Sequence, residues 1–275
     1  MKNLRTRIAA LLVFLCLGGS AFSASNFDYV QPFSLKPLNE GLELGIGGAL
    51  TGSAILCGKV FDIKKNDFNA SDLDKSSISG LEQAFMRPYS KPLHLAGTGT
   101  VGLAMATPLV FAVLPSSEWL TIGTMYAETM LFAYGIKEWT KLLVYRTRPY
   151  MYFDDYPQSK VDDGDWNCSF PSGHTTLAFA GAAFTTMVFC QCFPDSNWKY
   201  AVAGGAFGLA ALTGGLRMAS GNHFLTDVLV GAVIGTACGF VVPYMHTKGF
   251  YNRFEKKSGP KANVSPSGLS FSYNF

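Results

Sequence analysis

Uncharged runs divide the chain. Positions 95–114 carry no charge, 119–136 is interrupted only by Glu128, and 175–194, 200–216 and 228–245 complete a set of five. Each run approaches the roughly 20 residues that carry a helix across a bilayer, so the pattern predicts an all-α membrane helical bundle. A shorter run at 44–58, rich in glycine and bounded by Glu43 and Lys59, is a sixth span or an interfacial helix, which makes the bundle one of five to six spans. Between 61 and 91 the pattern turns polar with charges of both signs, and 149–165 forms a second polar loop rich in Asp and Tyr. The tail from Lys248 is basic, then alternates apolar and polar from 269 to 275. One such alternating segment falls far short of a membrane barrel, so a flexible tail is expected over 247–275. No internal repeat is present.

Composition agrees with this reading. Of 275 residues, 15 % are charged, 48 % are hydrophobic and 29 are glycine, a mixture suited to closely packed membrane helices. The first 23 residues carry Lys2, Arg5 and Arg7 ahead of an apolar run, with Ala21 and Ser23 as small residues at a cleavage site. That is a signal peptide or an uncleaved signal anchor. It holds three of the 22 basic residues and none of the 19 acidic ones, so the net +3 belongs to the leader. Nothing in the charge balance points to nucleic acid. Beyond Cys16, the cysteines at 57, 168, 190, 192 and 238 show no zinc-ligand spacing and read as packing residues. The divisions expected are 1–23, a polar or interfacial region 24–93, the bundle 94–246, and the tail.

Polar chemistry gathers in three clusters at run ends. In the first, Lys141 and Arg148 are seven positions apart, two turns of a helix and hence on one face, before Pro149 stops the helix. By itself this is also how a helix anchors at a membrane surface. In the second, Pro171-Ser172-Gly173-His174 opens an apolar helix. Ser172 suits an N-cap, Gly173 exposes backbone N–H groups to an anion, and His174 could hand over a proton. In the third, Arg217 precedes His223 and Asp227, which at a spacing of four would meet on a helix so that Asp227 aims the imidazole. A metal site is the competing reading, and Lys141, Arg148 and Arg217 would repel the cation. If the helices around these clusters all cross the membrane, all three emerge on one side, at the membrane–water boundary.

In order and spacing the clusters resemble the signature of the type 2 phosphatidic acid phosphatase superfamily, which includes bacterial acid phosphatases and vanadium haloperoxidases. That signature reads Lys-(x)6-Arg-Pro, Pro-Ser-Gly-His and Ser-Arg-(x)5-His-(x)3-Asp, and only Leu216 departs from it, standing where the family has Ser. The resemblance implies a phosphoric ester hydrolase without metal or other cofactor. Lys141, Arg148 and Arg217 would hold phosphate oxygens, with Ser172 and Gly173 adding hydrogen bonds. His223 would attack phosphorus to give a phosphohistidine intermediate, Asp227 would orient it, and His174 would protonate the departing oxygen. The substrate expected at that depth is a lipid phosphate monoester or pyrophosphate, in phospholipid metabolism. The alternatives are a periplasmic non-specific acid phosphatase, a haloperoxidase, and a transporter or binding protein for anionic lipid, which would not need the His–Asp pair. The leader and a non-crossing 44–58 would place the site on the periplasmic face of a bacterial inner membrane. A crossing 44–58 reverses that parity.

Overall fold

The computed structural model describes residues 29–60, 69 and 73–250, and the backbone of 261–265 and 268–272; the leader lies outside them. Six long helices form the bundle: α1 (Pro37–Ile55, extended by a π-turn Leu56–Val60), α3 (Lys91–Met105, extended by a 3-10 turn Thr107–Val113), α4 (Ser116–Leu143), α6 (Gly173–Cys192), α7 (Trp198–Ala219) and α8 (Leu225–Met245). Two short helices, α2 (Gly80–Phe85) and α5 (Gln158–Asp162), lie in the polar connections. The protein is an all-α membrane helical bundle.

Among the described residues, five helices are long and apolar enough to cross a membrane: Pro37–Gly58, Lys91–Ala112, Gly173–Cys192, Trp198–Ala219 and Leu225–Met245. The set differs from the one expected. The run at 44–58 belongs to a 22-residue helix, because Glu43, which bounds it in the sequence, and Glu40 before it are on the helix and turn inward toward His246. The run at 119–136 lies within the 28-residue α4, which bears five charged residues; the run itself holds only Glu128, and its three threonines and two tyrosines make it too polar for that set. Those charges are not on a lipid face. Glu118 accepts from Gln31 at one end, Glu128 is buried beside His246, and Lys137 pairs with Glu138 toward the other end.

Helix α6 is the hub, packed against α3, α4, α7 and α8. Small residues set these distances. A Cβ on Gly231 or Gly239 of α8 would lie 2.7 Å from the carbonyl oxygen of Ser172 or 2.6 Å from that of Ala180, both on the α6 backbone. Close helix approach through a one-turn stripe of glycine is the packing that lipid favours, where water supplies no hydrophobic drive. At the end away from the clusters, Phe33, Phe111, Ile122, Met125, Phe184 and Phe193 form an apolar core. There the strand-like contact of Phe33 with Thr247 and the bond from the Val30 N–H to the Cys192 carbonyl tie the start of the described chain to the ends of α6 and α8. Within the tail, expected to be loose, strands β1 (Lys261–Ser265) and β2 (Gly268–Ser272) pair antiparallel, Lys261 opposite Ser272.

Candidate active site

The three clusters meet at one end of the bundle, though the first does so differently from the reading of the sequence. Helix α4 ends at Leu143, and Val144 is already extended. Arg146 then bridges in parallel to Cys168, and the Arg148 N–H donates to the Trp166 carbonyl. Lys141 and Arg148 therefore share no helical face. The strip 146–148 is drawn out by pairing with 166–169, and a residue before proline disfavours the helical region in any case. Arg148 nonetheless reaches the centre. Its Nε and Nη2 donate to the carbonyl and carboxylate of Asp165, and one Nη1 lies 3.0 Å from the Asn222 carbonyl and 3.2 Å from His223 Nε2. Burial opposes ionisation of Asp165, but Arg148 and Lys160 hold its carboxyl well below the usual range. Lys141, in the last turn of α4, adds its charge beside those of Arg148 and Lys137.

His223 stands in the turn before α8, 1 % exposed. Its Nδ1 lies 2.7 Å from the Ser169 carbonyl oxygen, which can only accept, so Nδ1 carries the proton. Nε2 therefore presents its lone pair to the Arg148 guanidinium. Burial, and then Arg148, Arg217 and Lys141, hold the imidazole well below its ordinary pKa, so it is neutral near pH 7. Asp227 was expected to bond the ring directly. Its Oδ2 is 3.6 Å from Nδ1, and the direct bond is the Ser169 carbonyl's. Asp227 instead accepts from the Ser169 hydroxyl, from the Phe224 N–H at 2.8 Å, and from Arg146. It holds the loop that holds the ring.

Arg146 extends this scaffold. It donates to Asp227, to Thr226 Oγ1 and to Glu82 of α2, and its guanidinium lies 4.2 Å from the centre of the Phe224 ring. Glu82 also accepts from the Thr226 hydroxyl. Arg146, Ser169, Glu82, Asp165 and Lys137 all escaped the sequence reading. Only Lys137, four positions before Lys141 and so on the same helix face, left a signal that could have been used.

The second cluster departs from expectation in its details. Ser172 occupies the N-cap position of α6, but its hydroxyl pairs with Thr175 Oγ1 at 2.8 Å and its N–H donates to the Asp227 carbonyl. Gly173 faces Lys137, whose Cδ would lie 3.2 Å from an added Cβ. His174 Nε2 is 3.3 Å from Thr98 Oγ1 on α3, beside the ring of His94. On α7, Arg217 is 2 % exposed, Nη1 lies 3.1 Å from His94 Nδ1, and Gly97 of α3 leaves room for its stem. The Arg217 Nε and the hydroxyl of buried Tyr150 find no hydrogen-bond partner among the described residues. Buried polar atoms of this kind call for a missing partner, and for a guanidinium that partner is an anion. Gly221, at φ +73°, makes the turn that brings Asn222 and His223 back over the site, with the Arg87 carbonyl against its α-carbon.

Over 77 residues the chain is 40 % identical to the lipid A 1-phosphatase of Porphyromonas gingivalis, covering 28 % of this chain and 16 % of that protein. It is 35 % identical over 79 residues to a probable diacylglycerol pyrophosphate phosphatase of Schizosaccharomyces pombe, covering 27 % of this chain and 28 % of that one. The matches thus span less than a third of the length of these two relatives. The crystal structure of a transmembrane PAP2-type phosphatidylglycerolphosphate phosphatase from Bacillus subtilis superposes with a TM-score of 0.42 at 23 % identity, over 78 % of this chain and 96 % of that one. The PAP2 superfamily model matches residues 122–251, from α4 to just beyond α8, the stretch that holds all three clusters. Through that stretch the chain is similar to the PAP2 superfamily.

Proposed function

We propose that the protein is a metal-independent phosphatase acting on a lipid phosphate monoester or pyrophosphate through a phosphohistidine. The observation that carries this reading is the pairing of a proton-free His223 Nε2 with buried guanidinium groups, one of which has an orphan N–H. The phosphate oxygens take over the donors of Arg148, Arg217 and Lys141. Once Arg148 turns to phosphate, Nε2 is released to attack phosphorus. The N–P bond forms as the bond to the departing oxygen breaks, and His174 supplies the proton that oxygen needs. Water then attacks the phosphohistidine, giving its proton back to His174 and restoring Nε2. Phosphoryl transfer depends mainly on positioning and on positive charge around the equatorial oxygens, and the cations supply both without a metal. The carbonyl of Ser169 orients the ring, the role the resemblance assigned to Asp227, and stabilises the positive charge that forms on it.

A lipid substrate suits the rim. Leu81, Leu95 and Leu143 are exposed around the same end of the bundle, where apolar chains could lie while the headgroup enters. Phosphatidic acid, phosphatidylglycerophosphate, a polyprenyl pyrophosphate and a lipid A phosphate share the required chemistry. For sidedness, residues 29–36 lie at the end of the bundle opposite the site, so with α1 crossing, residue 29 and the site occupy opposite faces of the membrane. A periplasmic site in a bacterial inner membrane then requires a leader that leaves residue 29 inside the cell. The reaction is tested by acid-quench trapping of labelled phosphate on the detergent-purified protein. Label on the wild type and none on His223→Ala is expected; label persisting on that variant overturns the mechanism.

A further inference from the structure

Four ionisable side chains meet far from the phosphate site. Glu40 and Glu43 lie on α1, Glu128 halfway along α4, and His246 caps the end of α8. The side chains of Glu128 and His246 are wholly buried, and those of Glu40 and Glu43 are 10 % and 13 % exposed. From His246 Nε2, the nearest carboxylate oxygens are 2.8 Å away on Glu40, 3.1 Å on Glu128 and 3.9 Å on Glu43.

The hydrogen bonds leave carboxylate oxygens unsatisfied at the centre. His246 Nδ1 lies 2.8 Å from the Val242 carbonyl, so Nδ1 carries a proton and Nε2 faces the carboxylates. The backbone N–H of Lys36 holds Glu40 Oε1, which turns Oε2 to the same point. A protonated ring could satisfy Glu40, and yet both oxygens of Glu128 and one of Glu43 make no hydrogen bond among the described residues. Three carboxylates against at most one imidazolium is an excess of negative charge in a buried place, where an unpaired charge is expensive.

We infer that Glu40, Glu43, Glu128 and His246 bind a divalent first-row transition ion that staples α1, α4 and α8 together. The ligand atoms of Glu40, Glu128 and His246 all lie within 4.8 Å of one another. Bonds of about 2.0–2.2 Å to nitrogen and carboxylate oxygen set donor separations of roughly 3.3–3.6 Å in a tetrahedral site, a few tenths of an ångström wider than the 2.8 and 3.1 Å from His246 Nε2 to Glu40 and Glu128. An imidazole whose second nitrogen donates to a backbone carbonyl is the usual arrangement of a metal-binding histidine. Carboxylate oxygens with one imidazole suit Mn²⁺, Fe²⁺ or Zn²⁺ better than Mg²⁺ or Cu⁺. The ion touches no phosphate ligand, so it holds helices and takes no part in the reaction.

The test uses the full chain in detergent, stripped with chelator and dialysed against micromolar Mn²⁺ or Zn²⁺. About one ion per chain is expected, with an unfolding temperature that rises with ion concentration. X-ray absorption on the Zn²⁺ form of the wild type should show one imidazole among oxygen ligands. Glu128→Gln should lose both the ion and the metal-dependent shift, while unfolding at a higher temperature than the stripped wild type because a buried charge is gone. His246→Gln should lose the ion as well. Wild type that binds neither ion, or a Glu128→Gln protein that binds as much as the wild type, overturns the assignment. So does a coordination shell without imidazole. Saturating vanadate at the phosphate site should leave the stoichiometry unchanged, and a loss of metal there would relocate the ion and sink the inference.

Discussion

Gly231→Ala should damage stability and turnover together, although it adds a single methyl group remote from any catalytic atom. The added Cβ would sit 2.7 Å from the Ser172 carbonyl oxygen and 3.1 Å from Thr176 Oγ1. Threonine can rotate away, whereas the Ser172 carbonyl is backbone at the start of α6. Ordinary contact begins near 3.4 Å, so α6 and α8 must part by about 0.7 Å at this level. Overpacking on that scale costs about 1–3 kcal/mol. The same movement pulls Ser172 from Asp227, whose 3.0 Å backbone bond joins the two helix ends that carry the site. If a misplacement of 1 Å costs about 10²-fold, this one should lower turnover on the order of 10-fold. Gly208→Ala on α7 is the control, since nothing lies within 4 Å of its added Cβ. It should be neutral or up to about 1 kcal/mol stabilising from helix propensity. Thermal unfolding in detergent and turnover on a dispersed lipid phosphate measure both effects. A Gly231→Ala protein with wild-type unfolding temperature and turnover would refute the argument from contact.

Four further outcomes follow from the same geometry. Replacing His174 should slow release of a poor leaving group by about 10²–10⁴-fold but have much less effect on a nitrophenolate, and equal losses on both substrates would deny it the acid's role. Because burial and the surrounding cations depress the His223 pKa, the acid limb of kcat/KM should fall below pH 6.5. The unfolded ring takes up a proton that the folded ring refuses, so stability should also fall as pH drops through about 6.5; a limb at or above 6.5 would contradict the burial argument. Arg146→Met leaves Asp227 and Glu82 without their shared cation, and should lower kcat more than it raises KM, since Arg146 positions the loop and does not hold phosphate. A rise in KM alone would make it a substrate ligand. Finally, cysteines introduced at Ser159 and Ser196 in a cysteine-free background should label from opposite faces of spheroplasts, and labelling from one face would mean that α6 does not cross.

Local patterns were the legible part. The helices could be read because each needs only an unbroken apolar stretch, and the candidate site residues could be singled out because each cluster sits in a few consecutive residues at fixed spacing. What failed depended on partners far along the chain. Glu43 looks like the polar boundary of a short run until His246, some 200 positions later, takes it and Glu40 inward. The extended strip 146–148 is shaped by its pairing with 166–169, which no helical periodicity reveals. Asp227 at four positions from His223 suggested a direct bond, but the turn places His223 before α8 begins, where a backbone carbonyl reaches the ring first. Glu82 lies 64 positions from Arg146, in a polar stretch that nothing in the pattern ties to the site.

The central place of α6 also bears on how the chain is made. Its apolar window is 72 % buried, against 11 % for the first helix, yet α6 leaves the ribosome before α7 and α8, which cover much of it. During that interval a helix with a modest mean hydropathy of 1.3 and the hydroxyls of Thr175, Thr176 and Thr185 must wait in the bilayer with only α3 and α4 beside it. Its threonines can bond to carbonyls of their own helix meanwhile, as Thr176 and Thr185 do to Ser172 and Gly181. Its glycine-facing seam stays open until α8 arrives. A chain stalled after α6 would therefore expose a seam built for another helix, and would be an early target for the membrane's quality-control proteases.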